Sequence, residues 1–179
     1  MSVFKPVTGK RPKLIGTDLD GTIVAHYGFI SERTKIAFTA AYKAGIHMYF
    51  VTGRPIRWMS EIKENFNFGT GICANGAMLY DFINQKILEQ WLFSVENQLE
   101  TVKRLREVIP LVNFAVEIDE QFHREKDYLA RWDIGIDNVG VNKIEVLFYF
   151  FHPPDWPAGN KINMNASSMR CGKSNLGSL

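Results

Sequence analysis

Two apolar runs, KLIGT at residues 13–17 and IHMYFV at 46–51, each hand over to a segment with helical spacing, and this order constrains the fold more than any other feature. Ser31 is an N-cap candidate for a helix running to about Ala44, with Ile36, Ala40 and Ala44 on one face, and Gly45 ends it. IHMYFV, bounded by Gly45 and Gly53, has the pattern of a strand covered on both faces. Pro55 suits a first helical turn, and Ile56, Met59, Ile62 and Phe66 continue at helical spacing. Strand, helix, strand, helix with short connections predicts an α/β fold, a parallel sheet covered by helices whose strand C-termini line one rim. Asp18 and Thr52 both fall on that rim.

The texture changes from GICANGAMLYD onward. AMLYDF and QKILEQWLF alternate in character around Asn84 and read as a hairpin. Ser94 can cap a helix through Val108, with Val95, Leu99, Val102 and Leu105 at the right spacing and Pro110 following. NFAVEID and KIEVLFYFF then read as strands, so a helix with antiparallel strands forms an α+β insert. The last stretch, residues 152–179, opens on prolines, continues with Gly, Asn and Ser, and keeps no period, which predicts an irregular tail. The expected division is 1–80 for the first part of the sheet core, 81–152 for the insert and 153–179 for the tail.

Composition excludes several classes. At 179 residues and 46% apolar content the chain can bury a sizeable core, and disorder is excluded. A net charge of +2 from interspersed charges offers no basic block for nucleic acid or an anionic membrane, so neither is an expected partner. Cys73 and Cys171 lie far apart with no CxxC, which argues against a disulfide framework or a zinc site and for the reducing cytoplasm. MSVFKPVTGKRPK lacks the apolar segment of a signal peptide, and no run nears the ~20 apolar residues of a membrane helix. The Asn-Ala-Ser at Asn165 has no meaning without secretion.

The first apolar run ends on Asp18 and Asp20, one residue apart. Carboxylates at i and i+2 past a strand can enter one cavity, and at ~4–6 Å each raises the other's proton affinity unless a cation intervenes. A hard divalent ion such as Mg²⁺ meets that demand with oxygen ligands, and a bound phosphate adds further oxygens. The pair can also divide labour, one carboxylate attacking while the other gives a proton to the leaving oxygen and later takes one from water. Gly21 then allows a sharp turn and Thr22 adds a hydroxyl.

DLDGT, Asp18 to Thr22, resembles the first motif of the haloacid dehalogenase-like superfamily, and FVTGR, Phe50 to Arg54, resembles its second. CANGA, Cys73 to Ala77, is similar to a stretch of the Cof-type branch, after which a substrate-selecting cap is inserted. Each is weak alone, since a lone DxD is usually a solvated turn and Asn-Gly usually makes a hairpin. Together, in order, over about 80 residues, they are specific. The resemblance implies a Rossmann-like parallel-sheet core with an inserted α+β cap, both incomplete here. It also implies Mg²⁺-dependent hydrolysis of small phosphorylated metabolites, sugar phosphates above all, through an aspartyl-phosphate. By the same resemblance Asp18 is nucleophile and metal ligand, Asp20 is acid/base with its carbonyl on the metal, Thr52 and Gly53 bind phosphate, and Arg54 and Asn75 line the site. Phosphomutase-type transfer and a non-catalytic, phosphometabolite-binding or degenerate chain are the alternatives.

Other candidates fare worse. GTGICA, Gly69 to Ala74, fits a dinucleotide fingerprint, but no strand precedes it, and it reads as a loop entering a strand. His26, His47, His123 and His152 have no catalytic or metal spacing, and VLFYFF reads as a core strand. The family's GDxxND-type acidic cluster has no counterpart: GIDNVG, Gly135 to Gly140, is wrongly spaced, and no acidic residue follows Asp155. Lys173 and Lys161 are equal and weak candidates for the family's lysine. The metal site and the later core strands are thus expected to be incomplete, and the unpatterned tail favours a truncated or frame-shifted enzyme over a degenerate one or one completed by another subunit. The oligomeric state is not legible.

Overall fold

The computed structural model describes residues 9, 11–25, 28–118, 121–129, 140–147 and 164–165. Its first sheet has five strands: β1 (Leu14–Asp18), β2 (His47–Val51), β3 (Thr70–Cys73), β4 (Met78–Asp81) and β5 (Lys86–Gln90), side by side in that order. β1, β2 and β3 are parallel, with Leu14 to Asp18 facing His47 to Val51 and Tyr49 to Val51 facing Thr70 to Ile72. β4 and β5 return antiparallel. The α/β expectation holds, as a mixed sheet.

Helix α1 (Glu32–Lys43) makes the first crossover. Ser31 caps it, its hydroxyl oxygen accepting from Thr34 N at 3.2 Å, and Gly45 at φ +80° turns the chain out of it. The second crossover differs from the single helix its spacing suggests. Ile56–Trp58 form a 3₁₀ turn, Met59 leaves helical geometry, and α2 covers only Ser60–Asn65. Ile56, Met59, Ile62 and Phe66 are nonetheless all buried, so the apolar face is kept although the helix is broken. Aromatic rings close this core, with Phe50 stacked on Phe66 at 5.2 Å and meeting Phe82 edge-on at 5.6 Å.

The expected hairpin is β4–β5, and it extends the first sheet, Asp81 pairing with Thr70 of β3. Asp81 Oδ1 accepts from Ile83 N at 2.8 Å and Asn84 N at 3.1 Å, which makes the turn.

Helix α3 (Val95–Val108) follows, capped by Ser94 as its sequence suggests, with Asn97 N donating to the Ser94 hydroxyl. A second sheet has the order β7-β6-β8, with β6 at Ala115–Ile118, β7 at Gln121–Arg124 and β8 at Met164–Asn165. Of the expected tail, only those two β8 residues are described. Val102, Val112, Phe114, Val116, Ile144 and Leu147 form the apolar cluster of this half. Glu125 is 1% exposed and accepts from Arg106 Nη2, from Phe114 N at 3.1 Å and from Ile144 N at 2.8 Å. Arg106 Nε also donates to Glu145 at 3.0 Å.

KIEVLFYFF is a correction. Its described part, through Leu147, is a helical turn, with Val146 N donating to Lys143 O and Leu147 N to Ile144 O at 3.2 and 3.0 Å. Ile144 and Leu147, three apart, bury together while Val146 is 57% exposed, whereas a strand would put Ile144 and Val146 on one face. Residues 148–151 lie outside the described residues.

Candidate active site

β1 runs into the rim at Asp18, and the parallel register sets Asp18 opposite Val51, so Thr52 begins the neighbouring loop at the same level. Past Asp18 the chain folds around the buried Leu19, whose carbonyl accepts from Thr22, Ile23 and Val24 N at 3.1, 3.1 and 2.9 Å. Gly21, at φ +79°, makes that turn possible, since side chains rarely adopt this backbone conformation. Asp18 and Asp20 flank Leu19 and stay exposed, and Thr22 Oγ1 donates to Asp18 Oδ2 at 3.2 Å.

The cation that meets the aspartate charge is Arg54. Its Nε donates to both Asp20 carboxylate oxygens at 3.0 and 3.1 Å, and its Nη2 to Oδ1 at 2.5 Å. Its Nη1 reaches Glu61 of α2 at 3.4 Å. The hydrogen bonds it donates to Asp20 foremost, against the opposing cost of burial, hold the guanidinium above its ordinary pKa. Glu61 carries no motif, and in the sequence it is indistinguishable from any charge on a solvated helix face.

The second loop is bound to the turn after β3. Buried Thr52 donates from N to Ile72 O at 2.9 Å, its Oγ1 accepts from Arg54 N at 3.0 Å, and its carbonyl accepts from Asn75 N at 3.1 Å. Ala74 N donates to Arg54 O at 2.9 Å. Asn75 sits at φ 55°, ψ 33°, in the left-handed region that Asn tolerates better than most residues. Its side chain lies against Gly53, where an added Cβ would stand 2.9 Å from Asn75 Oδ1. The rim thus gathers Asp18, Asp20, Thr52, Gly53, Arg54 and Asn75 between two strand ends.

Among the described residues, no group of three or more His, Cys, Asp or Glu converges on a point. His47 begins β2 at the far rim and His123 lies on β7, while His26 and His152 are outside the described residues. Cys73 is buried and its thiol is pushed up to about 12 by desolvation, so it is no nucleophile. Lys161, Lys173 and Cys171 also fall outside the described residues, as does GIDNVG apart from Gly140. An open groove lined by Tyr42, His47, Thr70, Asp81 and Leu88 lies at the far rim, away from Asp18 and Asp20. No described helix is long and apolar enough to cross a membrane.

The family model for haloacid dehalogenase-like hydrolases matches residues 15–166. A protein of Buchnera aphidicola subsp. Baizongia pistaciae named "Putative phosphatase" is 27% identical over 138 residues, 76% of this chain and 47% of that protein. A solved structure from Bacteroides thetaiotaomicron, described among phosphatases of the HAD superfamily, matches with TM-score 0.64 and 19% identity over 84% of this chain and 56% of its own. A haloacid dehalogenase-like hydrolase from B. subtilis matches with TM-score 0.56 and 22% identity over 66% of this chain and 40% of its own. The two structural likenesses are likenesses of fold. The chain spans about half the length of the relatives it matches.

Proposed function

The chain belongs to the haloacid dehalogenase-like hydrolase family, and from that premise we propose that it hydrolyses phosphomonoesters of small metabolites, sugar phosphates foremost. The observation that carries this reading is the rim itself. Asp18 ends a parallel strand level with Thr52 and Gly53, and Asp20 follows two residues on at the same rim. The Asp18 carboxylate attacks phosphorus in line, and the P–O ester bond breaks as Asp20, released from Arg54 and protonated when substrate binds, gives that proton to the leaving oxygen. Water, giving its proton to Asp20, then cleaves the aspartyl-phosphate and releases inorganic phosphate. Thr52 Oγ1 accepts from Arg54 N, so its own hydroxyl hydrogen is left to point at a phosphoryl oxygen, beside the Gly53 amide. Asn75 and Arg54 line the same space.

Mg²⁺ fits the donor chemistry at this rim as an incomplete shell of two protein oxygens, since among the described residues no group of three acidic, His or Cys side chains converges. The Asp18 carboxylate and the Asp20 main-chain carbonyl are hard oxygen donors, and Mg²⁺ commonly takes one or two such protein ligands together with water and substrate phosphate. When bound it supplies positive charge against the phosphoryl oxygens. The cap expected at 81–152 is proposed to begin at α3, because Asp81 and β5 belong to the first sheet, and to include β8, with α3 and the second sheet choosing among leaving groups. Phosphoryl transfer of the mutase kind uses the same nucleophile, but no particular observation favours it.

A second reading, phosphoester binding without turnover, is favoured by one contact: the Asp20 carboxylate is already forked onto Arg54. One assay separates the two. Release of p-nitrophenol from its phosphate, dependent on Mg²⁺ and abolished in Asp18→Asn, is the expected result. No release, with phosphate ester binding retained in calorimetry, would leave the binding reading in its place.

A further inference from the structure

The two halves of the chain have separate apolar cores. The first cluster runs from Leu19 to Phe82 with Ile87 packed against it, and the second is built from Val95 to Leu147. Among the described residues no apolar cluster contains members of both. A charged contact joins them instead. Arg57 Nε donates to Glu117 Oε2 at 3.1 Å and Arg57 Nη2 to Oε1 at 2.7 Å, a two-pronged fork between side chains only 17% and 7% exposed. The guanidinium also lies over the Trp58 ring at 4.8 Å and over the Phe122 ring at 5.5 Å, one aromatic from each half.

Both ends of this contact lie on elements of their own half. Arg57 sits on the 3₁₀ turn three residues after Arg54, between Ile56 and Met59, which are buried in the first core. Glu117 lies on β6, the middle strand of the second sheet, opposite Phe122 of β7 and Asn165 of β8. Apolar contacts tolerate sliding, whereas a fork between two largely buried charges has one good geometry, and displacing it breaks two charge-assisted hydrogen bonds where water has little access.

We infer that Arg57 and Glu117 register the second sheet against the loop that carries Arg54, and that Arg57 is thereby a positioning residue for discrimination between leaving groups. The discrimination rests on the function proposed above; the registration does not. Glu117→Gln keeps the shape and removes the charge, and Arg57→Lys keeps the charge and removes the fork. The tests use the full chain, by amide hydrogen exchange and by kcat/KM for p-nitrophenyl phosphate and for glucose 6-phosphate.

In both variants amide exchange at Ala115–Ile118 and Gln121–Arg124 is expected to speed up at least about tenfold, with Ile15–Thr17 and Met48–Phe50 unchanged. The kcat/KM for the sugar phosphate is expected to fall about tenfold and that for the aryl phosphate by less than about threefold. Unchanged exchange in the second sheet overturns the registration, and an equal fall on both substrates overturns the role in discrimination. If the wild type turns over neither substrate, the proposed function fails and so does the discrimination that rests on it, while the exchange data still decide the registration.

Discussion

Arg54 closes on Asp20 through two nitrogens, Nε at 3.0 and 3.1 Å and Nη2 at 2.5 Å, and steadies its other arm on Glu61 at 3.4 Å. This bridge spans 34 residues of sequence and orients the carboxylate that the proposed reaction uses twice. General acid–base groups contribute about 10²–10⁴-fold to rate. Asp20→Asn is therefore expected to lower kcat/KM for glucose 6-phosphate by about that factor. For p-nitrophenyl phosphate, whose leaving group needs no proton, the fall is expected to be far smaller. Steady-state kinetics on both esters reads this, and equal losses would contradict the role given to Asp20.

The two glycines of the rim act differently. Gly21 has a positive φ with open space around it, so Gly21→Ala is expected to cost about 1 kcal/mol through backbone strain alone. Gly53 has room problems instead: an added methyl meets the Asn75 side chain at 2.9 Å. Gly53→Ala is expected to push Asn75 aside at a cost of about 1 kcal/mol, and Gly53→Ala combined with Asn75→Ala to regain that stability. Urea denaturation of the three variants makes the comparison.

Glu125, buried and bonded to Arg106, Phe114 N and Ile144 N, ties α3 to the second sheet and to the turn at Ile144. Removing one partner of a buried ion pair strands the other charge, so Glu125→Leu is expected to destabilise that half by about 3–5 kcal/mol. A urea transition followed by amide exchange at Val102 and Val116 measures it. A loss under 1 kcal/mol would mean that Arg106 finds a sufficient partner in Glu145 alone.

The His123 ring loses solvation on β7, which lowers its pKa from the ordinary value although Glu117 pulls the other way. With the folded pKa the lower of the two, the unfolded chain takes up the proton first as the pH drops. Its contribution is present above the unfolded value, near 6.5, and is lost as the pH falls through the folded value. The urea midpoint is expected to fall between pH 7.5 and 5.5, and to fall less in His123→Gln. Parallel pH curves for the two proteins would remove His123 as the cause.

Much of the fold is legible along the chain because its signals are local. Ser31 and Ser94 announce caps through amides three residues ahead, Gly45 ends a helix, and HMYFV is an inner strand, although only Met48 and Phe50 are buried and on the other face His47 and Val51 are exposed rather than covered as expected. The rim was legible for the same reason: Asp18 and Thr52 each sit directly past an apolar run, and parallel strands bring their C-termini level. The broken second crossover was not legible, because buried Ile56, Met59, Ile62 and Phe66 satisfy one helical face whether or not Met59 is helical. The strand expected at KIEVLFYFF failed for a related reason. A dense apolar run fits either period, and only burial of Ile144 with Leu147 beside Arg106 decides between them.

By itself, then, the sequence determined the opening strand–helix–strand order, the β4–β5 hairpin, the caps of α1 and α3, the rim on which Asp18 and Asp20 lie, and the family motifs, all through neighbours within a few residues. Tertiary structure alone decided which charges meet: Arg54 with Asp20 across 34 residues, Arg57 with Glu117 across 60. A guanidinium fork needs two oxygens within about 3 Å. Placing them so depends on strand register and on how two separate cores are seated, neither of which is encoded in any one stretch of chain.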